Sequence, residues 1–501
     1  MNIYMSNYWS LYLDFLEDFK DLTYKGYSLA YLCHFRSLVR FIDPLLQDIS
    51  FVKHIRHSVK ERKEVQDEFN QFIQSNTRKL IKNPNGIVVF HDVYNLLRLN
   101  EIHALDYCNP SKSMIISEGE NKQRAENCRT KQTVKKPRVT VGQVLMINVS
   151  KQQPKNQVIK NNVTKSNLRV EYFKNYQVNR KETISKIRQQ ARSICYKYRK
   201  HPLYSNSDFN KSLLKQLSGI INRIEEAEMF LSKTNVSCIV LASTHYYQSR
   251  TFAMVAARKG IPTICLQHGI IGSETGYIPR IATVDAVYGQ FEIDWYKQLG
   301  ENENSLEIIG HPRFDQAFKK SSVSRAQFNK KLGLDSTKKT LMLVVRGNQQ
   351  INRWKLLIDK ISKRINVNIV IKDFPSNQTH ELTRKYPIVH SVKHYKLYDI
   401  FPNVDAVVAY PSTVGLEAMI TNKTVFILNH QFNGDTGYYN KLDELVQMDP
   451  QKLAPLIIKY FTSNKYKNYT DKKRQEFLTY AYLSNTLSGK RLKMLIEKLT
   501  K

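Results

Sequence analysis

Two stretches of this 501-residue chain have residue types and spacing that could do chemistry: Gln267-His268-Gly269, and Ser412-Thr413 with Glu417 one helical turn on. An imidazole can take or give a proton near neutral pH, and a glycine after it lets a ligand or another backbone come close. So placed, His268 is either an acid/base or a capped turn histidine. Hydroxyls at Ser412 and Thr413, with the free N–H groups at the positive end of a helix, form a natural seat for phosphate, and Glu417 could accept hydrogen bonds from a ribose diol. The plainer use of the same residues is an N-cap at Ser412 and a solvated Glu417. His91-Asp92 is a second acid/base pair by type, for which a structural role is the commoner one.

These residues need strands and helices to position them. Cys238-Ile239-Val240-Leu241-Ala242 is a short apolar run, and Phe252, Val255 and Ala256 after it recur at helical spacing. Gly260-Ile261-Pro262 ends that helix, and Thr263-Ile264-Cys265-Leu266 reads as a second buried strand. The unit is βαβ with parallel strands, and ligands of such sheets bind beyond the carboxyl ends of the strands, where Gln267-His268-Gly269 lies. Ile87-Val88-Val89-Phe90 is a short strand that brings His91 and Asp92 to the same edge if it joins that sheet. Gly272, Gly276 and Pro279 read as a flexible loop able to close over a ligand. Strands at 286–289 and 306–310 follow, the second ending at His311-Pro312-Arg313. After a Lys-rich connection at 321–339, a fresh strand at 340–345 ends at Arg346 and starts a second domain. It continues through a strand at 367–371 ending at Lys372, another at 406–409, the helix start at Ser412 and a strand at 425–428. This rhythm predicts a doubly wound α/β architecture.

Residues 1–80 read as helical, with Trp9, Tyr12, Leu13, Leu16 and Phe19 in one apolar stripe. Such a stripe packs on the body of a protein or, less often, rests on a membrane surface. Residues 118–138 and 151–166 read as polar loops around a strand at 139–149. Residues 180–200 carry eight basic residues against the single acid Glu182, a basic amphipathic helix that has either a solvated face or an anionic membrane face as its partner. A second amphipathic helix at 213–231 leads to Cys238.

At 501 residues with 42% hydrophobic content the chain can build two cores. The net charge of +33 favours polyanionic company such as lipid head groups or phosphorylated substrates, unless it reflects only a lysine-rich proteome. Nucleic acid is not expected, since no binding motif is present. The six cysteines, Cys33, Cys108, Cys128, Cys195, Cys238 and Cys265, have no close pair that could begin a zinc site. No stretch approaches the ~18–20 apolar residues of a membrane span, and the aromatic, acidic start is unlike a secretory signal. The expected location is cytoplasmic, with peripheral attachment to the inner face of the membrane through 180–200. Gly-x-Gly-x-x-Gly and Walker patterns are missing, which removes local support for dinucleotide and P-loop readings.

With Gln267-His268-Gly269, Gly310-His311-Pro312-Arg313-Phe314-Asp315, Ser412-Thr413-Val414-Gly415-Leu416-Glu417-Ala418-Met419 and Leu487-Ser488-Gly489-Lys490-Arg491, the chain resembles the GT-B glycosyltransferase superfamily over about 235–500. It is most similar to the capsule transferases, polysialyltransferases and CDP-glycerol glycerophosphotransferases of bacterial surfaces. The resemblance implies two Rossmann-like domains facing a cleft, while the first 230 residues match no named family. With the helical reading of 1–80, the expected division is a helical extension at 1–80, an acceptor-side domain with basic insertions at 81–325, a donor domain at 326–480 and a C-terminal helix at 481–501. It implies transfer of a sugar or glycerol-phosphate unit from a nucleotide-activated donor to a surface or cell-wall glycan or lipid-linked acceptor, with no cofactor and no metal. His268 would be the general base. Ser412 and Thr413 would hold donor phosphate with Arg346 and Lys372 nearby, and Glu417 would hold the ribose. His91, Asp92, Gln267, Gly269, His311 and Arg313 would lie on the acceptor side. Where relatives carry Lys-Pro-His-Pro, this chain has Lys372-Asp373-Phe374-Pro375, which lacks the histidine. The same body also serves nucleotide-sugar 2-epimerases, and a catalytically silent binding protein is the remaining alternative.

Overall fold

The computed structural model describes residues 1–98, 106–118, 168–373, 379–482 and 486–501. It divides into two units: residues 1–119, 163–313 and 485–501 form one, and 314–484 belong to the other. The expected strand at 139–149 and the loops beside it lie outside the described residues.

In the first unit, helices α1 (Ile3–Asp18) and α2 (Arg62–Asn76) precede strands β1 (Ile87–Asp92), β2 (Ser113–Ser117) and β3 (Arg169–Tyr172). Helices α3 (Lys181–Lys197) and α4 (Ser207–Lys233) lead to β4 (Val236–Leu241), α5 (Tyr247–Arg258), β5 (Thr263–Leu266), β6 (Val284–Val287), α6 (Gln290–Lys297) and β7 (Leu306–Ile308). The strand order is β3-β2-β1-β4-β5-β6-β7, parallel throughout. In the second unit, β8 (Lys339–Val344), α7 (Ile351–Ser362), β9 (Val367–Lys372), β10 (Val389–Ser391), β11 (Ala406–Ala409), α8 (Thr413–Ile420), β12 (Thr424–Leu428) and β13 (Val446–Gln447) build a sheet of order β10-β9-β8-β11-β12-β13, again all parallel. Both sheets reverse direction of growth between their first and fourth strands, the doubly wound pattern whose crevice lies at that reversal. The α/β class and the two doubly wound sheets match the GT-B-like expectation.

A parallel sheet must be covered on both faces, and β4 has all six residues buried. Ile239 and Leu241 face a core shared with α1, α4 and α5, while Cys238 and Val240 face Leu492, Leu495 and Ile496 of the closing helix α9 (Ser488–Thr500). The aromatic stripe of α1 belongs to the first core: Trp9, Tyr12, Leu16 and Phe19 are all buried, and Tyr12 stacks on Phe35 at 4.1 Å. This removes the membrane-surface reading of α1. Residues 1–80 are therefore part of the first unit's core, as is α9. The loop expected to be flexible is also fixed. Glu274 is buried, accepts from Trp9 Nε1 at 3.1 Å and pairs with Arg62, and Ile271 and Ile278 are fully buried. In α3, Ile187, Ala191 and Cys195 face inward. No helix among the described residues is long and apolar enough to cross a membrane.

The first unit also buries titratable groups that resist acid. Burial, with repulsion from Arg250, Arg36 and Arg40, holds the His34 imidazole down to about 3, and burial lowers His91. Burial alone would raise Glu118, yet Arg223 and His91 bring it down to about 2. The unfolded chain protonates its imidazoles below about pH 6.5 while the fold refuses the proton, so this stability is complete above that pH and is lost as pH falls. Glu118 adds a loss of the same sign lower down, from its ordinary value of about 4.5 toward about 2. Calorimetry should therefore find the thermal midpoint highest above about pH 6.5 and falling steadily in acid, with the upper part of the slope flattened in His34→Phe.

Candidate functional site

In the first unit the candidate residues lie on loops at the carboxyl edge of the sheet. β4 runs into Ala242-Ser243-Thr244-His245, β5 into Gln267-His268-Gly269, and β7 into Ile309-Gly310-His311. The β1–β4 reversal opens directly beside the first of these. His268 Nδ1 lies 3.0 Å from the Ala242 carbonyl oxygen, which ties its ring back to that reversal. A carbonyl only accepts, so Nδ1 carries the proton and Nε2 keeps the lone pair. Tyr277 stacks on the imidazole with ring centroids 5.5 Å apart, and its hydroxyl donates to Gly269 O at 2.9 Å and Ile270 O at 3.0 Å. Burial, followed by the charge of Arg313, brings His268 down to about 4, partly offset by the Ala242 bond. A cavity of about 20 Å³, lined by Ser243, His245, Gln267, His268, Tyr277 and Asp285 among others, adjoins it, enough for one water.

Gln267 has a different role from the one expected of an acceptor-side residue. It is buried, donates to Gly269 O at 2.7 Å and Glu292 Oε1 at 2.9 Å, and accepts from Tyr288 N at 3.2 Å. Its amide is consumed in holding the His268 loop to the start of α6. Burial lifts the Glu292 carboxyl to about 8, so it is largely protonated at neutral pH. His311 is buried, its Nδ1 accepts from Arg313 N at 3.0 Å, and burial together with Arg313, Arg98 and His268 lowers it far below its ordinary value. The structure thus gathers Gln267, His268, Gly269, His311 and Arg313. It does not add His91 and Asp92 to them as an acid/base pair. Strand alternation turns His91 into the apolar layer with Val89, where Phe173 and Phe252 meet it edge-on at 5.3 and 5.2 Å and Glu118 Oε1 lies 2.9 Å from Nε2. Asp92 accepts from Leu97 N at 3.1 Å.

In the second unit the register Val344↔Ala409 sets Arg346 and Tyr410-Pro411-Ser412 on the two loops that flank the β8–β11 reversal. Asp373, after β9, accepts from Gly347 N at 2.8 Å, and Gly347 O lies 2.9 Å from His380 Nε2. Tyr410 is raised by burial, lowered by Arg346 and raised by Asp373, which places all three groups in electrostatic range. Ser412 is the N-cap of α8 but makes no capping hydrogen bond. Its carbonyl accepts from Tyr439 at 2.5 Å, and Gly415 sits so close that an added Cβ would lie 2.8 Å from that hydroxyl. Glu417 is buried and accepts from Tyr398 at 2.7 Å, which excludes the solvated alternative. Lys372 is half-buried, donates to Tyr395 O at 2.8 Å and is lowered by burial. His245, Tyr277, Tyr410 and His380 were not singled out from sequence. A histidine three residues past the β4 run was a usable signal, whereas nothing local marks the other three. Among the described residues no cluster of His, Cys, Asp and Glu could hold a metal ion.

No protein-family model matches the chain, nor does any curated protein sequence. Similar solved structures include a UDP-GlcNAc 2-epimerase from Neisseria meningitidis bound to UDP-GlcNAc, at 10% identity over 82% of this chain and 98% of that one, with a TM-score of 0.49. A glycosyltransferase from Rickettsia africae shares 11% identity over 83% of this chain and 99% of its own, with a TM-score of 0.49. The wall teichoic acid polymerase TagF shares 13% over 93% and 97%, with a TM-score of 0.45.

Replacing Gln267 by leucine keeps the volume but leaves the Tyr288 N–H and the Glu292 carboxyl without their amide partner. Each orphaned group costs about 1–3 kcal/mol. Denaturant titration should register a loss of that order, and an unchanged midpoint would contradict the assigned role.

Proposed function

We propose that the chain transfers a sugar or glycerol-phosphate unit from a nucleotide-activated donor to a hydroxyl of a surface or cell-wall glycan. The observation that carries this reading is that chemistry-bearing residues flank the strand-order reversal in both sheets: His268, bonded back to Ala242 O, in one, and Arg346 with Ser412 in the other. Ligands of doubly wound sheets bind at such reversals.

For sugar transfer, the acceptor hydroxyl gives its proton to Nε2 of His268 as its oxygen bonds to the anomeric carbon. The bond from that carbon to the nucleotide's diphosphate breaks, and the electron pair leaves on the phosphate oxygen. Charge growing there needs donors fixed in advance. The Arg346 guanidinium and the N–H groups that open α8 at Ser412 and Thr413 are assigned that task. Glu417, held by Tyr398, is assigned the ribose hydroxyls, and Lys372 adds positive charge near the same edge. No metal or cofactor enters this scheme.

Because burial holds His268 near 4, its base form is populated across the neutral range. The acid limb of kcat/KM should therefore fall well below the ordinary imidazole value of about 6.5. Turnover should be sought with a panel of labelled nucleotide sugars and CDP-glycerol. Transfer supports the reading, epimer exchange replaces it with a 2-epimerase, and saturable binding without turnover replaces it with a binding protein. In the active pairing, His268→Ala should lower kcat by about 10²–10⁴-fold and leave donor affinity nearly intact. Arg346→Gln should weaken donor binding by about 10–100-fold. Loss of donor affinity in the histidine variant would overturn the division of roles.

A further inference from the structure

The loops that follow β1 and β4 flank the strand-order reversal of the first sheet, and each carries a tyrosine. Tyr94, two residues past β1, is 55% exposed, and Tyr246, the N-cap of α5, is half-buried. Their rings meet at 4.9 Å with 62° between the planes. Tyr94 holds its place against the preference of its own backbone. Its φ is +56°, as is that of Asn95, and Arg98 follows at +48°. A bulky residue persists in this left-handed region only where its surroundings over-determine it. Here Val93 and Leu97 are buried on either side, Asp92 accepts from Leu97 N at 3.1 Å, and Gln248 Nε2 donates to the Tyr94 hydroxyl at 3.0 Å. The hydroxyl is thus occupied and the ring held, while more than half of the residue stays open at the crevice.

This tyrosine pair adjoins the edge that carries His268. His245, the neighbour of Tyr246, lines the same small cavity as His268 and Tyr277, and both its ring nitrogens are buried with no hydrogen-bond partner among the described residues. Arg98, at the far end of the Tyr94 loop, is near enough to His311 for its charge to depress that imidazole. Gln248 is only 8% exposed, and its amide oxygen likewise lacks a partner. Buried polar atoms without partners are rare, and at a strand-order reversal a ligand hydroxyl or a bridging water is what satisfies them.

We propose that Tyr94 is the stacking platform of an acceptor subsite whose ligand is a pyranose ring, with the C–H face of the sugar on the tyrosine and its hydroxyls turned toward Gln248 and His268. The inference rests on the sugar-transfer reading of His268 and narrows its acceptor to a chain that ends in a six-membered sugar rather than in glycerol phosphate. An aromatic face whose hydroxyl is occupied can take a cation, a nucleobase or the C–H face of a sugar. A cation would meet the charges of Arg98 and Arg313, which act on the same edge. A nucleobase has no alcohol to present to His268 Nε2. A pyranose has both features: C–H groups that pack on the ring, and hydroxyls at its rim for which Gln248 and the exposed Asn95 amide are partners. Glycerol phosphate has no such face.

The test is saturation-transfer difference NMR on the full chain, with the methyl glycosides of glucose, galactose and N-acetylglucosamine, sn-glycerol 3-phosphate and UMP as separate probes. Wild type should pass saturation to the ring C–H protons of at least one pyranoside. Tyr94→Ala should weaken that binding about tenfold, whereas Tyr94→Phe, which keeps the face and gives up only the Gln248 hydrogen bond, should retain it. No transfer to any pyranoside, or equal transfer in Tyr94→Ala, overturns the proposal. So does a glycerol 3-phosphate or UMP signal that Tyr94→Ala removes, which would assign the platform to another ligand. Because this assay needs no turnover, the two readings fail separately. A Tyr94-dependent pyranoside signal in a chain that transfers from no donor removes the transfer reading and leaves the platform. In an active pairing, Tyr94→Ala should raise the acceptor KM about tenfold and leave the donor KM unchanged; an unchanged acceptor KM removes the platform and leaves transfer standing.

Discussion

Arg250 is the tie on which the first unit depends. The side chain is 1% exposed, and its guanidinium donates to Thr244 O at 2.9 Å, the Tyr12 hydroxyl at 3.0 Å, Tyr31 O at 3.1 Å and Cys33 O at 2.8 Å. These four acceptors are neutral oxygens, drawn from α1, from the short helix Leu29–Leu32 with its C-cap Cys33, and from the loop that follows β4. A buried cation so held must keep its hydrogen bonds, and in keeping them it fixes where residues 1–80 meet the sheet. It also fixes Ser243-Thr244-His245, and through that loop the Ala242 carbonyl to which His268 is bonded. Its charge acts in the same place, since Arg250 is among the groups that depress His34 and His245. One residue thus joins the helical N-terminal segment to the site's geometry, and its charge adds to the burial that lowers His34 and His245.

The edge that carries His268 is rigid for related reasons. Gln267 ties its own loop to α6, Tyr277 holds the next two carbonyls, and Glu274 draws the following segment under Trp9 and Arg62. Loops that position reacting groups work best when their shape is over-determined by neighbours. The second unit uses the same device at Gly347, whose N–H and C=O are both taken by side chains, from Asp373 and His380.

Much of this was legible in the chain because it is written locally. The βαβ pattern from Cys238 to Leu266 follows from an apolar run, helical spacing and a Gly-Ile-Pro stop, and the structure places β4, α5 and β5 within two residues of it. What failed to be legible depends on partners distant in sequence. Nothing around Glu274 announces that Trp9 and Arg62 will receive it, so glycines at 272 and 276 suggested mobility in a segment that is packed. His91 alternates into the apolar layer only once Phe173 and Phe252 are known to lie there. The short strands Val389–Ser391 and Val446–Gln447 have too few residues to show a period and become strands only through pairing with β9 and β12. Strand order, and with it the reversal that gives Arg346 and Ser412 their common edge, is likewise a property of the assembled sheet.

The closing helix α9 covers Cys238 and Val240 on the face of the first sheet opposite α1. The chain leaves the first unit at Arg313, builds the second, and returns only for these last residues. During synthesis the second unit can therefore finish folding while the first still exposes one apolar face of its central strand, which gives that face its longest interval of vulnerability to aggregation. The order in which the two units mature is then the reverse of the order in which their first strands emerge.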